Sequence, residues 1–139
     1  MSTINTPATF SKAMRAVRSL DYTVIFARDL AAMRRFYGET LGLESNRTLG
    51  DAWIEYRIGA NILALTQRGA LFNDEAPPTG ALSVQLAFRV APNEVFQCAD
   101  ALRAMGIPLV YEPADQPWGH RTVFFRDPDG NVLEIYAEI

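Results

Sequence analysis

The spacing of apolar and polar residues changes along the chain and divides it into alternating strands and helices. Residues 20–27 are rich in β-branched and aromatic side chains, which is typical of a strand, and Asp29 follows as a helix N-cap. Residues 30–37 carry apolar side chains at helical spacing, and Gly38 and Gly42 are expected to close this helix. Three further strands are predicted around Leu43, at residues 52–58 and at residues 61–66.

The second half of the chain repeats this order. It predicts, in sequence, a strand at 83–90, a helix from Pro92 or Asn93 to Met105, and strands near 109–111, 121–126 and 132–137. Asn61-Ile62-Leu63 is matched by Asn131-Val132-Leu133 seventy positions later, and Gly42-Leu43 by Gly106-Ile107. Such an internal repeat predicts two tandem βαβββ modules.

We therefore divide the chain into an N-terminal arm (residues 1–18) and a domain (residues 19–139). The modules span residues 19–68 and 81–139, and the polar, proline-containing stretch 69–80 links them. Phe10, Met14 and Val17 lie at helical spacing and predict a short helix from Phe10 to Val17. The arm either packs on another subunit or is a free tail.

Each module places one helix on one face of a four-stranded sheet, so the fold class is α+β. Two such sheets, edge to edge, form an incomplete barrel, with a cup-shaped pocket on the face that carries no helix. Alternation along a strand then decides which side chains line the cup. The sequence leaves the register of five strand residues open: Trp53, Ile54, Tyr56, Phe88 and Phe124.

Composition narrows the range of partners. The 139 residues are 49% hydrophobic with a net charge of −3, which disfavours a nucleic-acid scaffold, and no apolar run is long enough to span a membrane. A single cysteine, Cys98, forms no internal disulfide and favours the cytoplasm; we interpret it as a small core residue. Residues 1–70 carry nine Lys or Arg against six Asp or Glu, and residues 71–139 four against ten, an asymmetry that favours association of modules or subunits. Small molecules and other proteins remain as partners.

Several motifs together resemble one known family. They are Leu20-Asp21-Tyr22-Thr23-Val24, Asp29-Leu30, Phe36-Tyr37, Leu41-Gly42-Leu43, Gln85-Leu86-Ala87-Phe88-Arg89-Val90 and Phe125-Arg126-Asp127-Pro128-Asp129-Gly130-Asn131-Val132-Leu133-Glu134. The sequence resembles the vicinal oxygen chelate superfamily, which includes glyoxalase I, extradiol dioxygenases, fosfomycin and bleomycin resistance proteins and methylmalonyl-CoA epimerase. The resemblance covers residues 19–139 and implies the paired-module fold and a homodimer.

The resemblance also implies where a divalent metal would be held. The matching positions are Tyr22, Ala64, Gln85 and Glu134, and only Glu134 keeps the usual ligand. Ala64 has no donor atom, and neutral Tyr and Gln oxygens are poor substitutes for imidazole. We therefore expect no cofactor, with a divalent metal held by Glu134, Gln85 and Tyr22 as the alternative.

Without a metal, Tyr22, Gln85 and Glu134 are three polar groups converging in an apolar cup. A carboxylate removed from water acts as a general acid or base, so Glu134 with Tyr22 as hydrogen-bond partner is the candidate catalytic pair. The alternative is that the three groups only satisfy one another. Alternation makes Val132 and Tyr136 the neighbours of Glu134, so Tyr136 joins the candidate ligand-binding residues.

Two further candidates lie in the loop before the strand at 121–126. An exposed indole at Trp118 suits stacking on a planar ligand, as a Trp-Gly pair here resembles bleomycin-resistance-like proteins. His120, the only histidine, is either a pocket residue or a solvated loop side chain.

The sequence predicts a small-molecule-binding protein with a degenerate metal site, whose apolar or aromatic ligand lies in the cup. Two enzymes are the alternatives: a metal-dependent lyase, isomerase or dioxygenase anchored on Glu134, and a metal-free acid/base catalyst using Glu134 and Tyr22. The sequence names no substrate for either.

Overall fold

A computed structural model of the chain describes residues 7–139, with side chains from Ser11 onward. The helices and strands are α1 (Pro7–Met14), β1 (Tyr22–Ala27), α2 (Leu30–Arg34), β2 (Glu44–Leu49), β3 (Trp53–Ile58), β4 (Asn61–Gln67), β5 (Gln85–Arg89), α3 (Pro92–Ala104), β6 (Leu109–Asp115), β7 (His120–Arg126) and β8 (Val132–Glu138). A π-helical segment, Arg35–Thr40, continues α2. No helix within this range is long and apolar enough to cross a membrane.

The strands form two four-stranded sheets of identical topology. Their orders are β1-β4-β3-β2 and β5-β8-β7-β6, with the first and last strand of each module parallel and the other neighbours antiparallel. The sheets do not close on each other. The α+β fold of two βαβββ modules in an incomplete barrel, predicted from the repeat, is confirmed.

The helices differ in detail from their predicted bounds. The Asp29 carboxylate accepts the Ala32 N–H at 3.0 Å, which makes Asp29 the expected N-cap. Gly38 does not end the helix, because the π-helical segment runs through it to Thr40; Gly42, at a φ of 70°, follows the end. The arm helix lies at Pro7–Met14 rather than Phe10–Val17, and the Phe10 side chain and residues 1–6 lie outside the described part.

Alternation along the strands separates a helix side from an open face that carries no helix. Leu133 and Ala137 of β8 are fully buried on the helix side, whereas Glu134 and Tyr136 between them are only partly buried and lie on the open face. Of the five residues that the sequence left open, Ile54, Tyr56 and Phe88 lie on the helix side. Trp53 and Phe124 lie on the open face.

The Asp127-Pro128-Asp129-Gly130-Asn131 motif forms the turn between β7 and β8. Asp127 Oδ1 accepts the backbone N–H groups of Asp129 and Asn131, both at 2.9 Å, and Asp127 Oδ2 accepts from Asn131 Nδ2. Gly130 has a φ of 89°, a conformation that favours glycine. The most specific motif of the sequence therefore has a structural role.

Module 1 (residues 19–68) holds this turn of module 2 (residues 81–139). The Tyr37 hydroxyl donates to Asp127 Oδ2 at 2.7 Å, and Arg28 pairs with Asp129 at 3.3 Å. Burial raises the pKa of Tyr37 above its usual range, and the Asp127 carboxylate acts in the same direction. The junction between the modules therefore combines a buried hydrogen bond at Tyr37 with a partly exposed ion pair at Arg28.

The helix sides of the two modules pack together in one core. Phe36 and Phe125 approach to 6.4 Å between ring centroids, and helix-side residues of both modules form one core. On the open faces Tyr22 and Tyr111 stay 56% and 68% exposed. Between residues 7 and 139, no hydrogen bond, ion pair or aromatic contact joins the two open faces.

Candidate functional site

Glu134 is fixed on the open face of module 2 by the strands on either side of it. It lies between Ala87 of β5 and Phe124 of β7, in a parallel and an antiparallel pair respectively. Its neighbours Leu133 and Ile135 pack into the helix-side core. A shift of register by one residue would bury the carboxylate in that core, so packing determines its position.

Two contacts join the polar side chains of this face. Gln85 Nε2 donates to Glu134 Oε1 at 3.1 Å. His120 stacks on Tyr136, with ring centroids 4.7 Å apart and planes 30° apart. Module 2 therefore groups four of the six ligand-binding candidates on one open face, and its carboxylate accepts from a neutral amide only, among the described residues.

Trp118 and Tyr22 take no part in the two contacts of this group. Trp118 is in the turn between β6 and β7 and is 64% exposed. Tyr22 begins β1 of module 1, and its aromatic partner is Trp53. Among the described side chains, the hydrogen bond of Glu134 comes from Gln85, and the pairing of Tyr22 with Glu134 stays a prediction.

On module 1, aromatic side chains lie next to Ala64, the position that the resemblance matches to a metal ligand. Ala64 is fully buried and lies between Val24 of β1 and Glu55 of β3. Tyr22 lies two residues before Val24, and Trp53 lies two residues before Glu55. Their rings meet edge to face, with centroids 6.5 Å apart. The small alanine leaves room for these rings to approach each other.

The sequence reading missed a second carboxylate, Glu55, on this same face. Its oxygens accept from Asn46 Nδ2 at 2.7 Å, Trp53 Nε1 at 2.9 Å and Arg47 Nε at 3.2 Å. The Trp53 indole N–H, with further help from Asn46 and Arg47, holds the pKa of Glu55 below its usual range. Trp53 and Glu55 are two residues apart and so lie on one face of a strand, and from this spacing the sequence could have predicted their contact. The β-bulge between Ser45 and Arg47 that directs the other donors leaves no such signal.

Cys98 is half-buried on α3, and burial raises the pKa of its thiol, with Glu94 acting in the same direction. The thiolate is the nucleophilic form of cysteine, so this environment favours the inert role that the sequence suggested.

One cavity lies away from both open faces. It is a groove of about 740 Å³ on the helix side of module 1, between α2 with its π-helical extension and strands β2 and β3. Arg34, Glu39, Ile54 and Tyr56 are among its lining residues. Smaller cavities, of about 180 to 310 Å³, include residues of the open faces.

Comparison with known proteins places this fold in a family. Residues 19–135 match the model of the Glyoxalase/Bleomycin resistance protein/Dioxygenase superfamily. The chain belongs to this superfamily. The match covers both modules and therefore agrees with the resemblance found in the motifs.

Members of the superfamily with solved structures share the two-module architecture. A glyoxalase/bleomycin resistance protein/dioxygenase from Nocardioides is 25% identical with a TM-score of 0.76, covering 94% of this chain and 91% of that one. Lactoylglutathione lyase from Agrobacterium tumefaciens is 25% identical with a TM-score of 0.69, covering 86% and 92%. Virulence protein STM3117 from Salmonella typhimurium is 27% identical over 119 residues, which are 84% of this chain and 81% of that protein.

The superfamily implies a metal, and the donor atoms here do not fit one. Tyr22, Ala64, Gln85 and Glu134 supply one carboxylate and two neutral groups, divided between two sheets. Gln85 already donates to the Glu134 carboxylate, and in residues 7–139 no three His, Cys, Asp or Glu side chains cluster so as to hold a metal ion. One charge and no imidazole make a weak set of ligands for a first-row transition metal.

Proposed function

We propose that this superfamily member binds a small aromatic or apolar molecule against its open faces. The observation that carries the proposal is the exposed or partly exposed aromatic surface beside a polar group on both modules. Tyr22 and Trp53 lie beside Glu55 on module 1, and Tyr136 and His120 lie beside Glu134 on module 2. Large aromatic side chains exposed together are unusual on a monomer and typical of binding sites.

We further propose a homodimer in which a second copy completes the site. Among the described side chains no hydrogen bond, ion pair or aromatic contact joins the two open faces, so in this proposal module 2 of the partner is the complementary surface for module 1. The sequence charges, positive over residues 1–70 and negative over residues 71–139, favour this pairing of unlike modules. It would bring a Tyr22 close to a Glu134 from the other copy.

The dimer is tested by sedimentation of a matched pair of variants. Ala87→Arg places a cation on the exposed open face of β5, and Ala101→Arg places one on the exposed surface of α3. The proposal expects the first to shift the protein to monomer and the second to leave the dimer intact. A wild-type monomer, or equal effects of both variants, would contradict it.

The metal site is proposed to be degenerate, and no cofactor is assigned. The support is the chemistry of the donor set: a missing donor at Ala64 and an amide already engaged with Glu134. Metal analysis of the purified protein tests this. Stoichiometric Fe, Mn, Ni or Zn that is lost in Glu134→Ala would restore the alternative of a metal-dependent lyase, isomerase or dioxygenase.

The other alternative is a metal-free acid/base enzyme using Glu134 and Tyr22. It requires those groups to meet across two chains, so it depends on the proposed dimer. Loss of turnover in both Glu134→Gln and Tyr22→Phe, with binding retained, would support this enzyme over a pure binding protein. The cytoplasm remains the proposed location, on the single cysteine.

Ligand binding is tested first by native mass spectrometry of the purified protein for bound small molecules, and then with 2-naphthamide as a neutral aromatic probe. Trp118→Ala is expected to weaken probe binding by about tenfold, since aromatic stacking is worth about 0.5–1.5 kcal/mol beyond area burial. Phe96→Ala removes an exposed aromatic ring from α3 and serves as the control. Unchanged affinity in both Trp118→Ala and Tyr22→Ala would place the site elsewhere.

A further inference from the structure

Arg68 differs from the other arginines near the open face of module 1. It directly follows β4, and the alternation that puts Ala64 and Thr66 on the open face puts Arg68 there as well. It lies at the end of the face beside Phe26, which pairs with Thr66. This end is the one nearest the linker between the modules.

The guanidinium of Arg68 is incompletely satisfied. Nη2 donates to the Phe26 carbonyl at 3.3 Å, and the backbone N–H donates to the Ala27 carbonyl at 2.8 Å. Nε is buried and has no hydrogen-bond partner, the only such side-chain atom in the described part of the chain. An unmatched buried donor is costly, so its presence indicates a missing acceptor.

Neighbouring arginines show what Arg68 lacks. Arg28 pairs with Asp129 and also donates to the Pro77 carbonyl, and Arg47 pairs with Glu55. Arg68 forms no ion pair within residues 7–139. A guanidinium that donates to a single backbone carbonyl keeps its charge available for an anion.

Arg68 lines a cavity of about 310 Å³ together with Phe26, Gly69, Phe72 and Asp74. The rings of Phe26 and Phe72 meet edge to face at 5.8 Å and form an apolar wall. Phe72 comes from the linker and is 62% exposed, so the wall opens to solvent. A second cavity of about 200 Å³ on the other side of Arg68 includes Ser83 and the already paired Arg28.

From this juxtaposition we infer that the ligand of the open face is an acid: an aromatic or apolar body packs on Phe26 and Phe72, and its carboxylate accepts from Arg68. The inference rests on the proposed function and specifies its ligand class. Arginine suits a carboxylate because its donors form a planar fork. Asp74 is the charge that opposes the anion, since it lines the same cavity.

The experiment compares 2-naphthoate with its neutral amide, 2-naphthamide, by isothermal titration calorimetry. The wild-type protein is expected to bind the acid about tenfold or more tightly than the amide. Arg68→Gln should abolish that preference, and Arg68→Lys should retain part of it. Asp74→Asn should increase the preference, because it removes the like charge.

Arg35→Gln is the matched control: it removes one positive charge from the exposed helix side and should leave the preference unchanged. Equal loss in Arg68→Gln and Arg35→Gln would indicate long-range charge alone and would overturn the inference. Phe72→Ala should weaken both probes, because both use the ring.

The outcomes separate this inference from the proposed function. If the amide binds and depends on Tyr22 but the acid is not preferred, the binding function stands and the acidic ligand is wrong. If the acid binds through Arg68 and neither probe depends on Tyr22 or Trp118, the anion site stands and the wider open-face site is wrong. Binding of neither probe at millimolar concentration would contradict both.

Discussion

The two modules share one topology, but the carboxylate on the open face differs between them in position, exposure and hydrogen-bond partners. In module 2 Glu134 lies on β8, partly exposed, and accepts from the neutral amide of Gln85. In module 1 the corresponding strand carries Ala64, and the carboxylate lies one strand further out, at Glu55. There it is 7% exposed and accepts from an indole, an amide and a guanidinium.

This difference separates a structural carboxylate from one available for a ligand. The charge of Glu55 is matched by Arg47, and its oxygens are occupied, so it stabilises the sheet that supports Tyr22 and Trp53. Glu134 has an oxygen without a protein donor among residues 7–139 and faces solvent. The sequence repeat alone would have predicted the same role for the carboxylate of each module.

The strongest test of this comparison is Ala64→Glu, which gives module 1 a carboxylate at the position of Glu134. Ala64 is fully buried next to Glu55, so the new charge would be desolvated and repelled. We expect the free energy of unfolding to fall by about 3 kcal/mol or more, measured by urea unfolding at pH 7. Ala64→Gln, which lacks the charge, should cost less; equal costs would show that size alone decides.

A second test exchanges each carboxylate for its amide. Glu55→Gln places an NH₂ group against three donors and should lower the free energy of unfolding by about 1–3 kcal/mol. Glu134→Gln should change it by less than about 0.5 kcal/mol, because its single partner is an amide and the site is open. A larger effect at Glu134 would reverse the comparison.

The Glu55 effect should also depend on pH. Since the folded-state pKa lies below the ordinary value of 4.5, the stabilisation is complete above that value and is lost as the pH falls through the folded-state pKa. Thermal unfolding between pH 3 and 7 should therefore show the wild type and Glu55→Gln converging at the acid end. Parallel curves would contradict the assignment.

An effect at the lower end of the range given for Glu55→Gln is expected at the junction that joins the modules. Tyr37→Phe removes a buried hydroxyl that donates to Asp127 and should cost about 1 kcal/mol at pH 7. Because the pKa of Tyr37 is raised in the fold, the wild type should lose stability as the pH rises above the unfolded value of 10.0, and the variant should lose less. Tyr111→Phe, at an exposed ring, is the control for urea unfolding between pH 8 and 11.

The fold was predictable because two independent signals agree. The repeat at seventy positions and the turn chemistry of Asp127-Pro128-Asp129-Gly130 both fix where strands end, and turn residues act locally. The open-face position of Glu134 followed in the same way, from alternation on a strand whose other residues are apolar.

The rest of the site depended on contacts that sequence spacing does not encode. The bulge in β2 that brings Asn46 and Arg47 to Glu55 is a register irregularity, and the packing of Phe36 on Phe125 joins residues far apart in the chain. That packing sets how the two modules are placed relative to each other, so the expected meeting of Tyr22 with Glu134 in one cup could not be judged from either module alone. The sequence likewise gives no signal for Arg68, because the burial of its unpaired Nε depends on the folded structure.

The bulge in β2 also bears on edge-to-edge association between copies of the protein. β2 is an outer strand, exposed along its whole length, and β6, the outer strand of the other sheet, carries two register irregularities of its own. A regular outer strand offers a row of free N–H and C=O groups to any passing strand, which is the first step of edge-to-edge aggregation. The irregularity that serves Glu55 thus also interrupts the edge on which a fibril would begin to grow.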